Sequence, residues 1–345
     1  MSFSTLVLIC TDMLGQNRQV ESVMSQTLLG KVALVTGGGR GLGRAHALAL
    51  ARAGARVVVN DLGGSDRGEG ADPDMAAAVA REIQEVGGNA IASNADVSDW
   101  DDAGRAVRLA LDTFGRLDII VNNAGISRFA PIGAMSREDW TLTIGVNLTG
   151  TAAVTHWAAA HWIEVGPESG RAIINTSSPA GTNPLPGSPA YCASKAGVAA
   201  LTIASAAELA PLGVRVNAIA PMGRTRLTDA VPFVAELMKA PATGFDRAAP
   251  DCVSPVVVYL ASPACRFTGR VFGIEGDDLF VFDGWSARHR FNNAGTAWDQ
   301  ATLAERLEAI DLQDLGWGIA PATHMVMPNP SDATLKTLAT IAEER

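Results

Sequence analysis

From Lys31 onward the chain alternates short β-branched runs with Ala- and Leu-rich stretches of helical spacing, and its strand runs are nearly continuous in apolar residues. "KVALVT" leads into "GLGRAHALALARAG", "ARVVVND" into "DPDMAAAVAREIQEVGG", and "NAIASNADVS" into "DDAGRAVRLALDTFG". "RLDIIVNNAG", "RAIINTSS", "AYCASKAGVAALTIASAAELAPLG" and "VRVNAIAP" continue the series. A strand that is apolar on both faces needs covering on both, and short strand-to-helix links put the covering helices there. The reading is therefore α/β: a doubly wound parallel sheet in a single domain over residues 27–290. Residues 1–26 are expected to be an N-terminal extension, with Met24 as an alternative start, and 291–345 a C-terminal extension with one helix in "AWDQATLAERLEAI". The prolines and small residues between "PMGRTRLTDA" and "PDCVSPVVVYLAS" predict a loose, mobile segment.

Bulk composition narrows the function classes. At 48 % hydrophobic and 18 % charged residues the chain has enough apolar material for a large core. The net charge of −9, with arginines in no stripe, argues against a nucleic-acid partner. Cys10, Cys192, Cys252 and Cys265 form no CxxC pair, which points to reduced thiols, a cytoplasmic location and no metal site. No apolar run approaches the roughly 18 residues of a membrane span.

Glycine clusters where the first strand hands over to the first helix, in "VTGGGRGLGR". The pattern is T-G-x-x-x-G-x-G through Thr36, Gly37, Gly41 and Gly43, with Arg40 and Leu42 between. A turn without side chains lets backbone approach a pyrophosphate, and the helix N-terminus behind it offers free N–H groups. Asp61 ends the second strand, 18 residues beyond Gly43, near the offset at which a carboxylate accepts from an adenosine ribose 2′-hydroxyl. It would favour NAD over NADP, whereas Arg40 in the loop could meet the extra phosphate of NADP. Asp96 in "NADVS" is either an acceptor for an adenine amino group or a helix cap. "NNAG", with Asn123, Ala124 and Gly125, ends the fourth strand in small residues that allow close approach of a flat ring or ribose.

The chain has only two tyrosines and four lysines, yet "AYCASKAG" places Tyr191 and Lys195 at i and i+4 of a predicted helix. Chance yields that spacing in about 2 % of chains with these counts, and the two side chains share one helix face. An ammonium beside a phenol stabilises phenolate and brings the tyrosine from about 10 toward working pH, as a general acid/base requires. Ser178 in "INTSSPAG" leaves a strand end and can return as a second donor to a carbonyl oxygen, or it is a turn serine. Asn147 in "GVNLTG" sits in a helical stretch, as a water anchor near Lys195 or as a core polar group.

Taken together and in this order, "TGGGRGLG", "NNAG", Asn147, Ser178, "YCASK" and "VNAIAP" resemble the short-chain dehydrogenase/reductase family over about 260 residues. The resemblance implies a Rossmann fold and NAD(P)-dependent interconversion of an alcohol and a ketone. It implies a catalytic set of Asn147, Ser178, Tyr191 and Lys195. Its cofactor contacts are Gly37, Arg40, Gly41, Leu42, Gly43, Asp61, Asp96, Val97, Asn123, Ala124, Gly125, Tyr191, Lys195, Pro221 and Thr228. Here Met222 follows Pro221 where the family has glycine, and Arg226 stands where its threonine is expected, with Thr228 two positions on. "VVVNDLGGSDRGEG" and "IAPMGRTRLT" look like the dehydrogenase unit of multifunctional enzyme type 2, and "FGIEGDDLFVFDGW" fits it more loosely. That subgroup implies a bulky hydrophobic substrate, a 3-hydroxyacyl-CoA thioester or alternatively a hydroxysteroid. Arg224 and Arg226 could meet a CoA phosphate, remain solvated, or bind the cofactor pyrophosphate.

The expected function is thus an NAD-dependent oxidoreductase for a small-molecule secondary alcohol, without a metal. A nucleotide-sensing protein without turnover is the alternative from another class. The resemblance also implies a homo-tetramer or homo-dimer through the helices bearing Asn147 and Tyr191. The two tryptophans of "THWAAAHWIEV" serve either that contact or the core.

Overall fold

The computed structural model describes residues 26–184, 186–229, 232–282 and 290–308. Residues 1–25, including Cys10 and Met24, and 309–345 lie outside the described residues. The strands are β1 (Val32–Thr36), β2 (Arg56–Asn60), β3 (Ala90–Ser93), β4 (Ile119–Asn122), β5 (Arg171–Thr176), β6 (Val214–Met222), β7 (Val271–Glu275) and β8 (Asp278–Phe282). They form one sheet in the order β3-β2-β1-β4-β5-β6-β7-β8. All neighbours are parallel except the β7–β8 hairpin. That hairpin carries no clear sequence signal: β8 alternates half-buried and exposed residues, yet its exposed positions Leu279 and Val281 are apolar, so the residue types do not alternate.

Helices cover both faces, as the apolar strands require. Helices α1 (Gly41–Arg52), α2 (Asp74–Glu85) and α7 (Ser254–Ala261) pack on one face with Ala33, Val35, Val57, Val121 and Ile174. Helices α3 (Trp100–Phe114), α5 (Gly150–Val165) and α6 (Pro189–Leu209) pack on the other with Val32, Leu34, Val58, Ile120 and Ile173. Consecutive β1 residues thus serve opposite cores, the period-two rule of a strand. Each fully buried Val, Leu or Ile contributes about 1.5–3 kcal/mol. Helix α4 (Arg137–Ile144) begins at a capping box of Ser136 and Asp139 and runs through a π-helical turn, Gly145–Thr149, into α5. Beyond the sheet stands α8 (Gln300–Glu308), inside the segment predicted helical. By length and composition Pro189–Leu212 could cross a membrane, but α6 packs on β5 and β6.

A buried polar row crosses the C-terminal end of the sheet. Asn60, Thr36, Asn122 and Asn175 are in register on β2, β1, β4 and β5. Asn122 donates to Thr155 on α5 and to Asn175, which donates to Thr202 on α6. These bonds pin strand ends to helices at the level where the site begins.

The segment after β6 is more organised than its composition predicts. It forms short helical turns at Arg226–Asp229 and Pro232–Leu237. Arg224 donates to the Met238 carbonyl at 2.8 Å and is ion-paired with Asp246. Arg224 is therefore committed to its own loop.

Candidate active site

A cavity of about 760 Å³ opens beyond the C-terminal ends of β1, β2, β4, β5 and β6. Its floor is the glycine turn. Gly37 takes φ +62°, and a Cβ there would stand 2.7 Å from Ala124 Cα; one on Gly43 would stand 2.0 Å from the Gly37 carbonyl oxygen. Neither position admits a side chain without moving backbone. Arg40 is the N-cap of α1 but supplies no side-chain cap, so the helix brings an uncapped first turn and its positive dipole end to Gly41, Leu42 and Gly43 on the cavity wall. Thr36 Oγ1 accepts from the N–H groups of Asn123 and Ala124, each at 3.1 Å. The Asn123 amide donates back to the Thr36 and Gly37 carbonyls. Asn123 lines the cavity, yet its amide staples the ends of β1 and β4 together.

Asp61 is aimed by backbone. Its carboxylate accepts from Gly39 N–H at 2.8 Å and Gly63 N–H at 2.7 Å, and it lines the cavity. The Arg40 guanidinium turns to the Gly63 and Gly64 carbonyls, at 3.1 and 2.8 Å, beside Arg226, which reaches Gly64 at 3.4 Å. Asp96 is not the helix cap: it accepts from the backbone and hydroxyl of Ser98, while Asp99 caps α3. An Asx turn at the rim remains for Asp96 because Asp99 lies immediately before the first helical residue. Val97 packs against Gly150 and lines the cavity. Pro221 and Thr228 line it too. The Thr228 hydroxyl is occupied by its own turn, accepting from Thr225 N–H and donating to Thr225 O, both at 2.7 Å.

The four residues of the expected catalytic set converge. Asn147, fully buried in the π-helical turn, accepts from Ile126 N–H at 2.8 Å and donates to Ile126 O and Ser194 Oγ, both at 3.0 Å. It thus fixes the chain that leaves Gly125. A Cβ built on Gly125 would stand 3.3 Å from Asn147 Oδ1 and 3.4 Å from Lys195 Nζ, so both groups crowd one point. Ser178 caps the short turn Pro179–Thr182 and also bonds the Tyr191 phenol. Lys195 donates to the Thr176 carbonyl at 2.8 Å, and its ammonium lies 5.7 Å from the centre of the Tyr191 ring.

The electrostatics differ from the expectation. Burial raises the Tyr191 pKa, and the hydrogen bond with Ser178 only partly opposes it. Burial also lowers Lys195, to about 8. Desolvation disfavours both charged forms, and the lysine spends one donor on a carbonyl. Before a ligand binds, the phenol is held protonated, because burial raises its pKa against the hydrogen bond with Ser178.

Several wall residues were not among the expected site residues. Phe129, Leu142, Val146, Met222, Val234 and Met238 give the cavity an apolar lining. They come from four separate segments and share no motif. The loop 62–72 also lines the cavity, and it contains most of the stretch "DLGGSDRGEG" that carried the subgroup resemblance.

Backbone amides and a carboxylate at one end, with a phenol, a hydroxyl and an ammonium at the other, suit a dinucleotide and an alcohol placed side by side. The glycine contacts leave room for backbone-bound phosphates, and the uncapped helix supplies their partners. Fold and site define a dinucleotide-dependent oxidoreductase. The short chain dehydrogenase family model matches residues 31–234, and the chain belongs to that family, whose enzymes act on hydroxyl and keto groups. It is 38 % identical to hydroxyacyl-CoA dehydrogenase ChsB1 of Mycobacterium tuberculosis, covering 84 % of this chain and 92 % of that one. It is 38 % identical to peroxisomal multifunctional enzyme type 2 of Mus musculus, over 71 % of this chain but only 31 % of that larger protein. A crystal structure of a short chain dehydrogenase from Mycobacterium avium superposes with a TM-score of 0.72 at 43 % identity, covering 82 % of this chain and 94 % of that one. The enzyme is thus a nicotinamide-dependent oxidoreductase that interconverts a secondary alcohol and a ketone.

Proposed function

We propose that this enzyme is an NAD-preferring dehydrogenase of 3-hydroxyacyl-CoA thioesters. The observation that carries the reading is one continuous cavity in which the Asp61 carboxylate, the Tyr191–Ser178 pair and an apolar lining meet. Asp61, fixed by two amides, accepts a ribose 2′-hydroxyl and repels a 2′-phosphate. Phe129, Leu142, Val146, Val234 and Met238 suit an aliphatic chain beside the reacting carbon. The hydroxyacyl-CoA dehydrogenase named above is similar over nearly its full length, which supports the thioester.

A nicotinamide cofactor held by the glycine turn, Asp61 and Lys195 would supply the acceptor or donor of the hydride at the carbinol carbon. Ser178 Oγ holds the substrate oxygen. Tyr191 Oη takes the hydroxyl proton in oxidation and gives it back in reduction. Lys195 presents its remaining donors to the ribose and stabilises the phenolate once charge develops, and Asn147 keeps the chain at Gly125 and Ile126 in place. Arg224 is ion-paired with Asp246, so contact with a CoA phosphate would require that pair to open.

A panel of 3-hydroxyacyl-CoA esters and hydroxysteroids, followed by NADH absorbance, tests the substrate. Turnover of steroids alone would replace the thioester. In the same assay Asp61→Ala should narrow the preference for NAD over NADP about tenfold or more, and a wild type that prefers NADP would reject the cofactor assignment.

The enzyme is also proposed to be a homo-oligomer. Ile163 and Val165 on α5 are 64 % and 54 % exposed, and Ile203 on α6 is 41 % exposed. Such exposed apolar groups on the two site helices suit a second copy. Sedimentation velocity should show a dimer or tetramer; a monomer at micromolar concentration would exclude it.

A further inference from the structure

Arg128 lies three residues beyond Gly125, and its side chain is only 7 % exposed. Its Nε donates to the Arg67 carbonyl at 2.8 Å and its Nη2 to Glu69 at 3.1 Å. On the other side Nη1 reaches Glu138 at 3.4 Å and Asp139 at 3.3 Å, the latter in the capping box of α4. Ser127 N–H adds a bond to the Asp66 carbonyl at 3.0 Å. The tip of the loop 62–72 is therefore clamped to the segment that follows β4.

The same loop controls the two charges that face a ribose 2′ position. It closes on itself through Asp72 N–H and Leu62 O at 2.9 Å. Its Gly63 N–H aims the Asp61 carboxylate, and its Gly63 and Gly64 carbonyls hold the Arg40 guanidinium. Arg226 shares the Gly64 carbonyl, so two guanidinia stand together with a backbone oxygen between them. Burial, and then the charge of Arg40, lower the Arg226 pKa, as expected of two cations forced close. Released from those carbonyls, the pair would suit a phosphate monoester.

We infer that Arg128 is a specificity-determining positioning residue: by clamping the loop 62–72 it keeps Arg40 on the Gly63 and Gly64 carbonyls and Asp61 facing the dinucleotide, and so enforces NAD over NADP. The inference rests on the NAD preference proposed above. Arg128 itself touches neither dinucleotide nor substrate. Its planar fork serves both sides of the clamp at once, which a lysine cannot.

Fluorescence titration of NADH and NADPH onto the full chain reads this without a substrate. Arg128→Gln should lower the ratio of the NADPH to the NADH dissociation constant about tenfold, mostly through tighter NADPH. Arg128→Lys should not restore it. The NADPH gain should vanish in R40Q/R128Q, because Arg40 is the group set free. A ratio unchanged while both affinities fall together would reduce Arg128 to a structural role and overturn the inference. Should Arg128→Gln not fold, Glu69→Gln on the exposed rim must move the ratio the same way, by roughly threefold; an unmoved ratio again overturns it. A wild type that binds NADPH more tightly defeats the NAD reading and the inference together, whereas NAD preference with an immovable ratio defeats the inference alone.

Discussion

Tyr191 lines the cavity half-buried beside Lys195 and is held as a phenol, because desolvation outweighs the help of Ser178. Chemistry therefore depends on protons arriving and leaving in a fixed direction. Oxidation uses Tyr191 as a base and needs phenolate, so its rate should rise with pH through the neutral range. Reduction uses the phenol, so its rate should stay level through the neutral range and fall only as pH passes the raised pKa of Tyr191. Lys195, lowered to about 8, loses its charge above that pH and withdraws its support for the phenolate. Tyr191→Phe should cut turnover by about three orders of magnitude, flatten both profiles, and leave NADH affinity within about threefold of wild type. Stopped-flow rates and a fluorescence titration check these outcomes, and a fully active variant would remove Tyr191 from the mechanism. The Tyr–Lys pair was legible because two rare residue types share one helix face. The partner of Lys195 was not, since the Thr176 carbonyl is backbone and leaves no trace in residue identity.

Among the elements, the glycine turn and α1 are the most tightly specified. The Gly43 position faces the Gly37 carbonyl at a distance no Cβ tolerates, and the obstruction is backbone, which cannot swing aside. Gly43→Ala should therefore displace the first turn of α1 and weaken NADH binding about a hundredfold or more, whereas the far end of α1 should keep its packing. Calorimetry would measure the affinity and circular dichroism the helix; unchanged affinity would show that the turn does not hold the dinucleotide. The turn, the parallel strands and most helices were readable, since each repeats a local rule of spacing or glycine placement. The β7–β8 hairpin was not, because the exposed face of β8 carries Leu279 and Val281, so polar and apolar types do not alternate along it as they do in a half-buried strand. The segment after β6 was misjudged for a related reason. Its order comes from the Arg224–Asp246 pair and the Thr225–Thr228 turn, which composition does not report.

At the scale of the whole molecule, two buried groups set the response to acid. His46 joins α1 to Ser254 at the start of α7, at 2.9 Å, and burial lowers its pKa from 6.5 to about 3. An unfolded chain takes up that proton first, so stability should fall as pH drops from about 6.5 toward 3, by up to about 1.4 kcal/mol per pH unit. Asp118 lies under the sheet at the end of β4 opposite the site. Burial would raise its pKa, but hydrogen bonds from Arg116 and Val32 N–H, with the charge of Lys31, leave it lowered. Its contribution is present above the usual carboxylate range and is lost as pH falls through the depressed value. Urea denaturation at pH 7 and pH 5 should show the His46 slope, and His46→Gln should reduce it; equal stability at the two pH values would refute the linkage. The sequence by itself determined the layered α/β plan, the glycine turn and the rare Tyr–Lys pair, because these follow from periodicity and from the steric demands of single residues. Only the tertiary structure decided which charges meet. That Asp61 is held by amides while Arg40, on the same cavity wall, is held by carbonyls, that Asn123 staples strands, and that Trp162 is core while Trp157 is half-exposed all depend on segments far apart in the chain. The physical reason is that side-chain direction and desolvation are set by neighbours in space, and a linear pattern carries no record of them.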